Sequence, residues 1–229
     1  MLEKLFHICP FCEKPAGKDD YLCESCREAI VSYNKLQKCP LCGQPSAMAG
    51  LCKDCEKEKT GYDLAFSCYG YQDHFKEALL SYKFSHQFYR AKGFARLLCE
   101  AFLKTALTAD VITVVPSGPM ALWKRGYCSP LEMAFPLKKM LNLPLYPALL
   151  RKKWFVKRQA TLKQQQRLTN VKGSFLFSPR WKEKIRGKRI LLLDDVMTTG
   201  ATVKECSRIL KENGAKEVYV LTLLGRSAP

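Results

Sequence analysis

The chain has 229 residues, enough for one domain of ordinary size, about 150 residues, and a small additional module. Its formal net charge of +17 favours a polyanionic partner or ligand. No apolar run approaches the roughly 18 residues of a membrane span, and the opening stretch MLEKLFHICP lacks the apolar core of a secretory signal. We therefore expect a cytoplasmic protein with reduced thiols and no membrane span.

Cysteine dominates the first part of the chain, where eight of the twelve cysteines form four C-x-x-C pairs. These pairs make two sets of similar spacing, C-x2-C-x10-C-x2-C and C-x2-C-x9-C-x2-C. Four thiolates suit a tetrahedral zinc ion and leave no open position for substrate, so each set predicts a structural zinc site. Sequential pairing is preferred, and interleaved pairing stays open. The predicted ligands are Cys9, Cys12, Cys23, Cys26, Cys39, Cys42, Cys52 and Cys55.

Composition changes after this module, which predicts two domains, residues 1–60 and residues 61–229. The first 61 residues carry equal numbers of basic and acidic side chains, so the whole net charge of +17 lies in the rest. There we expect strands and helices to alternate. The predicted strands are 64–71, 110–116, 145–149, 189–193 and 217–224, and the predicted helices are 74–84, 89–107, 130–140 and 201–213.

Details of these elements predict the fold class. The helix 74–84 should bury Phe75, Leu79, Leu80 and Tyr82 or Phe84. Ser117-Gly118-Pro119 carries turn signals, and residues 151–170 are predicted as a long loop or an exposed helical excursion. Continuous apolar runs such as ILLL and VYVLTLL are typical of a mostly parallel sheet that helices cover on both faces. Ligands bind such sheets beyond the carboxyl ends of the strands.

The stretch RILLLDDVMTTGAT is the clearest candidate for a ligand site. Asp194 and Asp195 end a strand, and the loop from Val196 to Thr202 leads into a helix whose free N–H groups suit an anion. Threonine hydroxyls add donors, while two carboxylates suit vicinal hydroxyls. We therefore predict a site for a phosphorylated ribose. Neither a Walker A run nor a G-x-G-x-x-G fingerprint is present. Two alternatives are a magnesium-dependent phospho-acceptor site and solvated aspartates before an ordinary helix.

The same motif resembles the phosphoribosyl-pyrophosphate (PRPP) motif of type I phosphoribosyltransferases. The chain also shows, in order, a Cys-rich module, ALLSYKF, VPSGPMALWKRGY and RQATLKQQQRLTNVKGSF before that motif. This order is similar to that of the ComF family of competence proteins and spans nearly the whole chain. The resemblance implies a type I phosphoribosyltransferase fold behind a zinc finger and a role in DNA uptake during natural transformation.

The resemblance also implies roles for individual residues in binding PRPP together with magnesium. Asp194 and Asp195 would face the ribose hydroxyls, and the turn from Val115 to Pro119 would face the pyrophosphate. The full set implied for PRPP is Asp194, Asp195, Val196, Thr198, Thr199, Gly200, Ala201, Thr202, Ser117 and Gly118. The chain departs from the family at Cys128-Ser129, where Asn-Gln is common, and at Gly118 and Met120, where His or basic residues are common. No catalytic residue is assigned.

A basic segment predicts a second ligand, single-stranded DNA. Between Arg151 and Arg189 the chain has 14 basic residues and one acid, Glu183, together with aromatic side chains that suit stacking on bases. The predicted DNA contacts are Lys152, Lys153, Lys157, Arg158, Lys163 and Arg167. Two other functions stay open: an active phosphoribosyltransferase of nucleotide metabolism with an unidentified acceptor, and an adaptor that docks a helicase-type motor protein through the zinc module.

Overall fold

A four-stranded parallel sheet lies at the centre of the computed structural model, which describes residues 8–17, 20–153 and 171–227. Its strand order is β1-β6-β5-β2, and every neighbouring pair is parallel. A separate antiparallel pair joins β3 to β4. The strands are β1 (Leu64–Gly70), β2 (Val111–Val114), β3 (Leu150–Lys152), β4 (Phe175–Phe177), β5 (Arg189–Val196) and β6 (Glu217–Gly225).

Helices cover both faces of this sheet, and alternation along β5 divides the core in two. Leu191 and Leu193 pack with α3, α4 and α6, whereas Ile190 and Leu192 pack with α7 and α8. This period of two follows from strand geometry. None of the described helices is both long and apolar enough to cross a membrane. The helices are α1 (Glu24–Lys35), α2 (Lys53–Lys57), α3 (Asp73–Phe84), α4 (Arg90–Leu103), α5 (Pro119–Arg125), α6 (Ser129–Leu141), α7 (Lys182–Ile185) and α8 (Ala201–Glu212).

The predicted parallel sheet with helices on both faces is confirmed, and two local predictions are wrong. The strand predicted at 145–149 is absent: Leu145 makes a single bridge to Ile112, and regular pairing begins at Leu150. Of the two residues predicted as alternatives at the end of the apolar side of α3, Tyr82 is the buried one and Phe84 is 65% exposed. The turn predicted at residues 117–119 leads directly into the unpredicted helix α5. Of the loop predicted at 151–170, residues 154–170 lie outside the described residues.

The cysteine module packs against the sheet domain through a shared aromatic core. The Phe11 ring lies 4.5 Å from that of Phe75 on α3 and 5.1 Å from that of Phe94 on α4, measured between centroids. Arg90, which is buried, donates to the carbonyl oxygens of Pro10 and Phe11. The first cysteine set therefore belongs to the same hydrophobic cluster as the helices of the sheet domain. The boundary at residue 60 stays a prediction.

Candidate ligand-binding and metal sites

The acidic pair lies at the carboxyl end of a central strand. Asp194 and Asp195 come directly before Val196, the last residue of β5, which pairs with β2 on one side and β6 on the other. Both residues are only 8% exposed. Buried carboxylates require compensating partners, because desolvation of a charged group without a partner is unfavourable.

Asp195 has a separate partner on each carboxylate oxygen. Lys83 Nζ, at the end of α3, lies 2.7 Å from Asp195 Oδ1, and the side chain of Lys83 is 18% exposed. Ser129, the first residue of α6, donates from Oγ to Asp195 Oδ2 at 2.6 Å. Two helices from different parts of the chain therefore hold this carboxylate in a fixed orientation.

Two tyrosines hold those helices together. The hydroxyl of Tyr82, which is fully buried, donates to the carbonyl oxygen of Ser129 at 3.0 Å. The hydroxyl of Tyr127 in turn donates to the carbonyl oxygen of Tyr82. These bonds connect the end of α3 to the start of α6, next to Lys83 and Ser129. The contacts to Asp195 are thus supported by a second layer of hydrogen bonds.

Asp194 has a different environment. Its Oδ1 accepts the backbone N–H of Asp195 at 2.8 Å. Burial, and after it the adjacent Asp195 charge, raise the pKa of Asp194, whereas Lys83, the Asp195 N–H and Lys152 lower it, and the net value is about 8. A ligand hydroxyl that donates to Asp194 would stabilise its charged form.

The threonine loop after β5 forms the start of helix α8. The N–H of Met197 donates to the carbonyl oxygen of Leu224 at 2.9 Å, which fixes the beginning of the loop against β6. Gly200 has φ of +74°, a conformation that glycine adopts without strain, and α8 begins at the next residue. Thr198 and Thr199 are exposed there. The first N–H groups of α8 have no partner within the helix and, with the helix dipole, favour an anion.

The turn after β2 comes to the same edge of the sheet. The N–H of Val115 donates to the carbonyl oxygen of Leu193 at 2.9 Å, so Ser117 and Gly118 follow beside the end of β5. A Cβ atom on Gly118 would lie 3.3 Å from Cδ of Lys152. Lys152, predicted as a DNA contact, therefore lies against this turn, and its charge acts on Asp194.

Of the other five predicted DNA contacts, only Lys153 lies within the described residues. Lys153 is exposed at the end of β3, and its N–H donates to the carbonyl oxygen of Ser174 at 2.9 Å. Four residues, Lys157, Arg158, Lys163 and Arg167, lie outside the described residues. The structure thus brings Ser117, Gly118, Lys152, the acidic pair and the threonine loop to one edge, while Lys153 follows Lys152 along the chain.

Sequence reasoning missed Lys83 and Ser129. Lys83 is 112 positions from Asp195 and Ser129 is 66 positions from it, so no local spacing connects either residue to the acidic pair. The one available signal was a lysine beside aromatic residues near the end of a helix, in the ALLSYKF stretch.

The eight predicted metal ligands form two clusters. In each cluster the sulfur atoms all lie within 4.8 Å of one another, and the grouping is the sequential one. The turns are alike: the N–H of Cys9 donates to the carbonyl oxygen of Lys14, and that of Cys39 donates to the carbonyl oxygen of Gln44. Cys23 and Cys52 each cap the start of a helix. The clusters are Cys9, Cys12, Cys23 and Cys26, and Cys39, Cys42, Cys52 and Cys55.

Hydrogen bonds between the thiols of the first cluster shift their pKa values in opposite directions. A hydrogen bond from Cys26 lowers the pKa of Cys9 to about 4, and the same interaction raises the pKa of Cys26. Close thiols cannot all ionise without a cation, so this donor set fits a divalent zinc ion. None of the twelve cysteines, all of which lie within the described residues, forms a disulfide.

Helix α5 is an exposed element next to the ligand edge. None of its seven residues is buried, and Trp123 is 83% exposed. The guanidinium of Arg125 lies 5.5 Å from the ring centroid of Phe84, which is also exposed. The helix contains Lys124 and Arg125 but no acidic residue. Aromatic faces and positive charge therefore lie together on this surface.

Two family models match the chain. The double zinc ribbon domain matches residues 5–56 and the phosphoribosyl transferase domain matches residues 137–229. The zinc ribbon match and the two cysteine clusters support structural zinc. The second match covers β5, the acidic pair and the threonine loop, and it agrees with the parallel sheet described above.

Relatives with similarity along most of the chain include three bacterial proteins. Competence protein F of Haemophilus influenzae is 27% identical, covering 87% of this chain and 88% of its own. The DNA utilization protein YhgH of Escherichia coli is 26% identical, covering 94% and 96%. The competence protein ComFC of Bacillus subtilis is 29% identical, covering 90% and 85%. These relatives confirm the resemblance seen in the order of the sequence motifs.

Proposed function

We propose that this chain handles incoming DNA in the cytoplasm and binds PRPP. It is homologous to ComF competence proteins along most of its length. The observation that carries PRPP binding is the convergence of three features at one sheet edge. They are the acidic pair, the threonine loop that opens α8, and the Ser117-Gly118 turn with Lys152. The threonine loop suits the phosphate, the acidic pair suits the sugar hydroxyls, and the turn with Lys152 suits the pyrophosphate.

In this proposal the ligand lies along the edge of the sheet. Its 5-phosphate accepts hydrogen bonds from the N–H groups at the start of α8 and from the hydroxyls of Thr198, Thr199 and Thr202. Its ribose hydroxyls donate to Asp194. Its pyrophosphate lies at Ser117 and Gly118, where Lys152 supplies positive charge.

Magnesium is expected with PRPP because a pyrophosphate group binds this cation. The acidic pair, however, does not fit a magnesium site made of two free carboxylates, since Lys83 and Ser129 already contact Asp195. The protein residues bind and orient the sugar phosphate.

Calorimetric titration with PRPP tests this proposal. Removal of two hydroxyl donors in a Thr199→Val and Thr202→Val double variant should weaken binding about tenfold or more, because hydrogen bonds to charged groups contribute about 1.5–3 kcal/mol each. Thr105→Val, the same change in the turn after α4, should leave binding unaltered. Equal affinity of the double variant and the wild type would refute the site.

An active phosphoribosyltransferase is the alternative that the same site supports. Lys152 and the Ser117-Gly118 turn would stabilise the leaving pyrophosphate as the bond to the sugar breaks. Release of pyrophosphate from PRPP when candidate acceptors are added would establish turnover. No release with any acceptor, from a protein that binds PRPP, would favour a binding role.

Single-stranded DNA is the second proposed ligand, and the exposed surface of α5 favours it. Bases could stack on Trp123 and Phe84, while Lys124 and Arg125 contact phosphates. Fluorescence anisotropy of a labelled oligonucleotide should show weaker binding to the double variant Trp123→Ala, Phe84→Ala. The control Leu103→Ala changes a residue of α4 that is as exposed as Phe84, and it should leave the affinity unchanged. Affinity that does not fall with salt would count against DNA.

Docking of a helicase-type motor protein through the zinc module is a separate prediction. A pull-down that compares the chain with and without residues 1–60 would test it, provided that the shortened chain keeps its fold by circular dichroism. Retention of the motor by the shortened chain would contradict the adaptor role.

A further inference from the structure

The contact between Lys83 and Asp195 has a consequence for ligand chemistry at the proposed site. Two carboxylates lie side by side at the end of β5, both largely buried, and a lysine ammonium lies 2.7 Å from one of them. A carboxylate pair that binds a sugar next to phosphate groups needs a cation nearby, because the negative charges otherwise repel one another. In this chain the cation is a side chain.

We propose that Lys83 is a built-in counterion of the acidic pair and takes the electrostatic role that a divalent cation would have there. A phosphorylated ribose therefore binds with little dependence on magnesium. This inference rests on the proposed function, because it concerns the same pocket. It assigns Lys83 and Ser129 as positioning residues, which act on the ligand through Asp195 and Asp194.

The position of Lys83 supports this role. Its ammonium pairs with Asp195 Oδ1, and its side chain is mostly buried. The hydroxyl of Tyr82, the preceding residue, donates to Ser129, whose own side chain donates to the same Asp195. Because both ends of the ion pair are fixed, little side-chain entropy remains to be lost when the ligand binds.

Electrostatics at Asp195 also disfavours a second cation. A divalent ion that coordinates Asp195 would lie close to the Lys83 ammonium and would be repelled by it. Ser129 occupies the other oxygen with a hydrogen bond of 2.6 Å. Lys83 would have to move away before the carboxylate could serve as a metal ligand.

Ribose 5-phosphate is the suitable probe, because it lacks the pyrophosphate that would chelate magnesium by itself. Its affinity is measured by calorimetry or by ligand-observed NMR, first in buffer that a chelating resin has freed of magnesium before the protein is added, and then with saturating magnesium chloride. Wild-type protein should bind equally well in the two media, within about threefold. Lys83→Met, which keeps the length of the side chain and removes its charge, should bind at least about tenfold more weakly without magnesium and recover when magnesium is added.

Two further variants serve as controls. Lys83→Arg retains the charge and should behave as the wild type does, which also covers the possibility that Lys83→Met fails to fold. Lys76→Met, an exposed lysine of the same helix, should change neither affinity nor magnesium dependence. Circular dichroism and zinc content report on folding for every variant.

The outcomes separate this inference from the proposed function. Wild-type binding that requires magnesium, with the same requirement in Lys83→Met, would overturn the counterion role and leave the sugar phosphate site intact. No binding of ribose 5-phosphate or PRPP by folded wild-type protein in either medium would overturn both. Magnesium-independent binding by the wild type, together with dependence in Lys83→Met, is the result that we expect.

Discussion

His74 Nε2, in the first turn of α3, lies 3.2 Å from the sulfur of Cys26 in the first cysteine cluster. A zinc-bound thiolate only accepts hydrogen bonds, so His74 is the donor in the zinc-loaded protein. The same helix carries Lys83 at its other end. Helix α3 thus spans from the zinc module to the acidic pair.

The first prediction concerns retention of zinc. Hydrogen bonds to ligand atoms hold a metal site in shape, and their loss typically weakens metal affinity by about 10-fold to 100-fold. We expect His74→Ala to release zinc to a chromogenic chelator at lower chelator concentration than the wild type. His86→Ala, an exposed histidine after α3, should match the wild type. Identical release from both variants would show that the contact with Cys26 is unimportant.

The second prediction concerns packing between the zinc module and the sheet domain. Phe11 is buried against Phe75 and Phe94, so Phe11→Ala should lower the free energy of unfolding by about 3–5 kcal/mol. Phe135→Ala, at a half-exposed position of α6, should lower it by far less. Urea titration followed by circular dichroism measures both. A small effect at Phe11 would indicate that the two parts fold independently.

The third prediction concerns pH. The pKa of Asp194 is raised to about 8 by burial, from a usual value near 3.8, so the folded protein binds a proton that the unfolded chain releases. Stability should therefore fall as pH rises between about 4 and 8, by at most about 1.4 kcal/mol per pH unit from this group. Asp194→Asn should remove that part of the dependence. Parallel pH profiles for the two proteins would contradict this account of Asp194.

The fourth prediction separates two neighbouring lysines. Lys152 lies against Gly118 at the proposed pyrophosphate end, so Lys152→Gln should weaken PRPP binding. Lys153 follows it at an exposed position, so Lys153→Gln should weaken DNA binding slightly and leave PRPP unaffected. Titration of each variant with both ligands gives the comparison. Equal effects of the two changes on PRPP would argue against a specific role for Lys152.

Features set by local pattern were predictable from the sequence. The apolar run before Asp194 and Asp195 identified β5, and strand polarity then placed the carboxylates at the ligand edge. Regular C-x-x-C spacing identified the two clusters in the same way. The helical pattern predicted from residue 201 likewise identified the start of α8.

Features set by tertiary contact were not predictable. Lys83 and Ser129 meet Asp195 only because α3 and α6 pack beside β5, and no spacing in the chain encodes that meeting. Phe84 has the right helical phase for the core but lies at the last residue of α3, where the chain leaves the protein interior. Pro119 was interpreted as part of a turn, whereas proline is also favoured at the first position of a helix, as in α5.

A crystal soaked with PRPP would show whether this edge of the sheet binds the ligand. We predict electron density for the 5-phosphate at Thr198 to Thr202, with the ribose hydroxyls beside Asp194 and the pyrophosphate near Gly118 and Lys152. Lys83 should remain paired with Asp195 in that complex. An empty edge at saturating PRPP, or density for PRPP elsewhere on the molecule, would contradict the account.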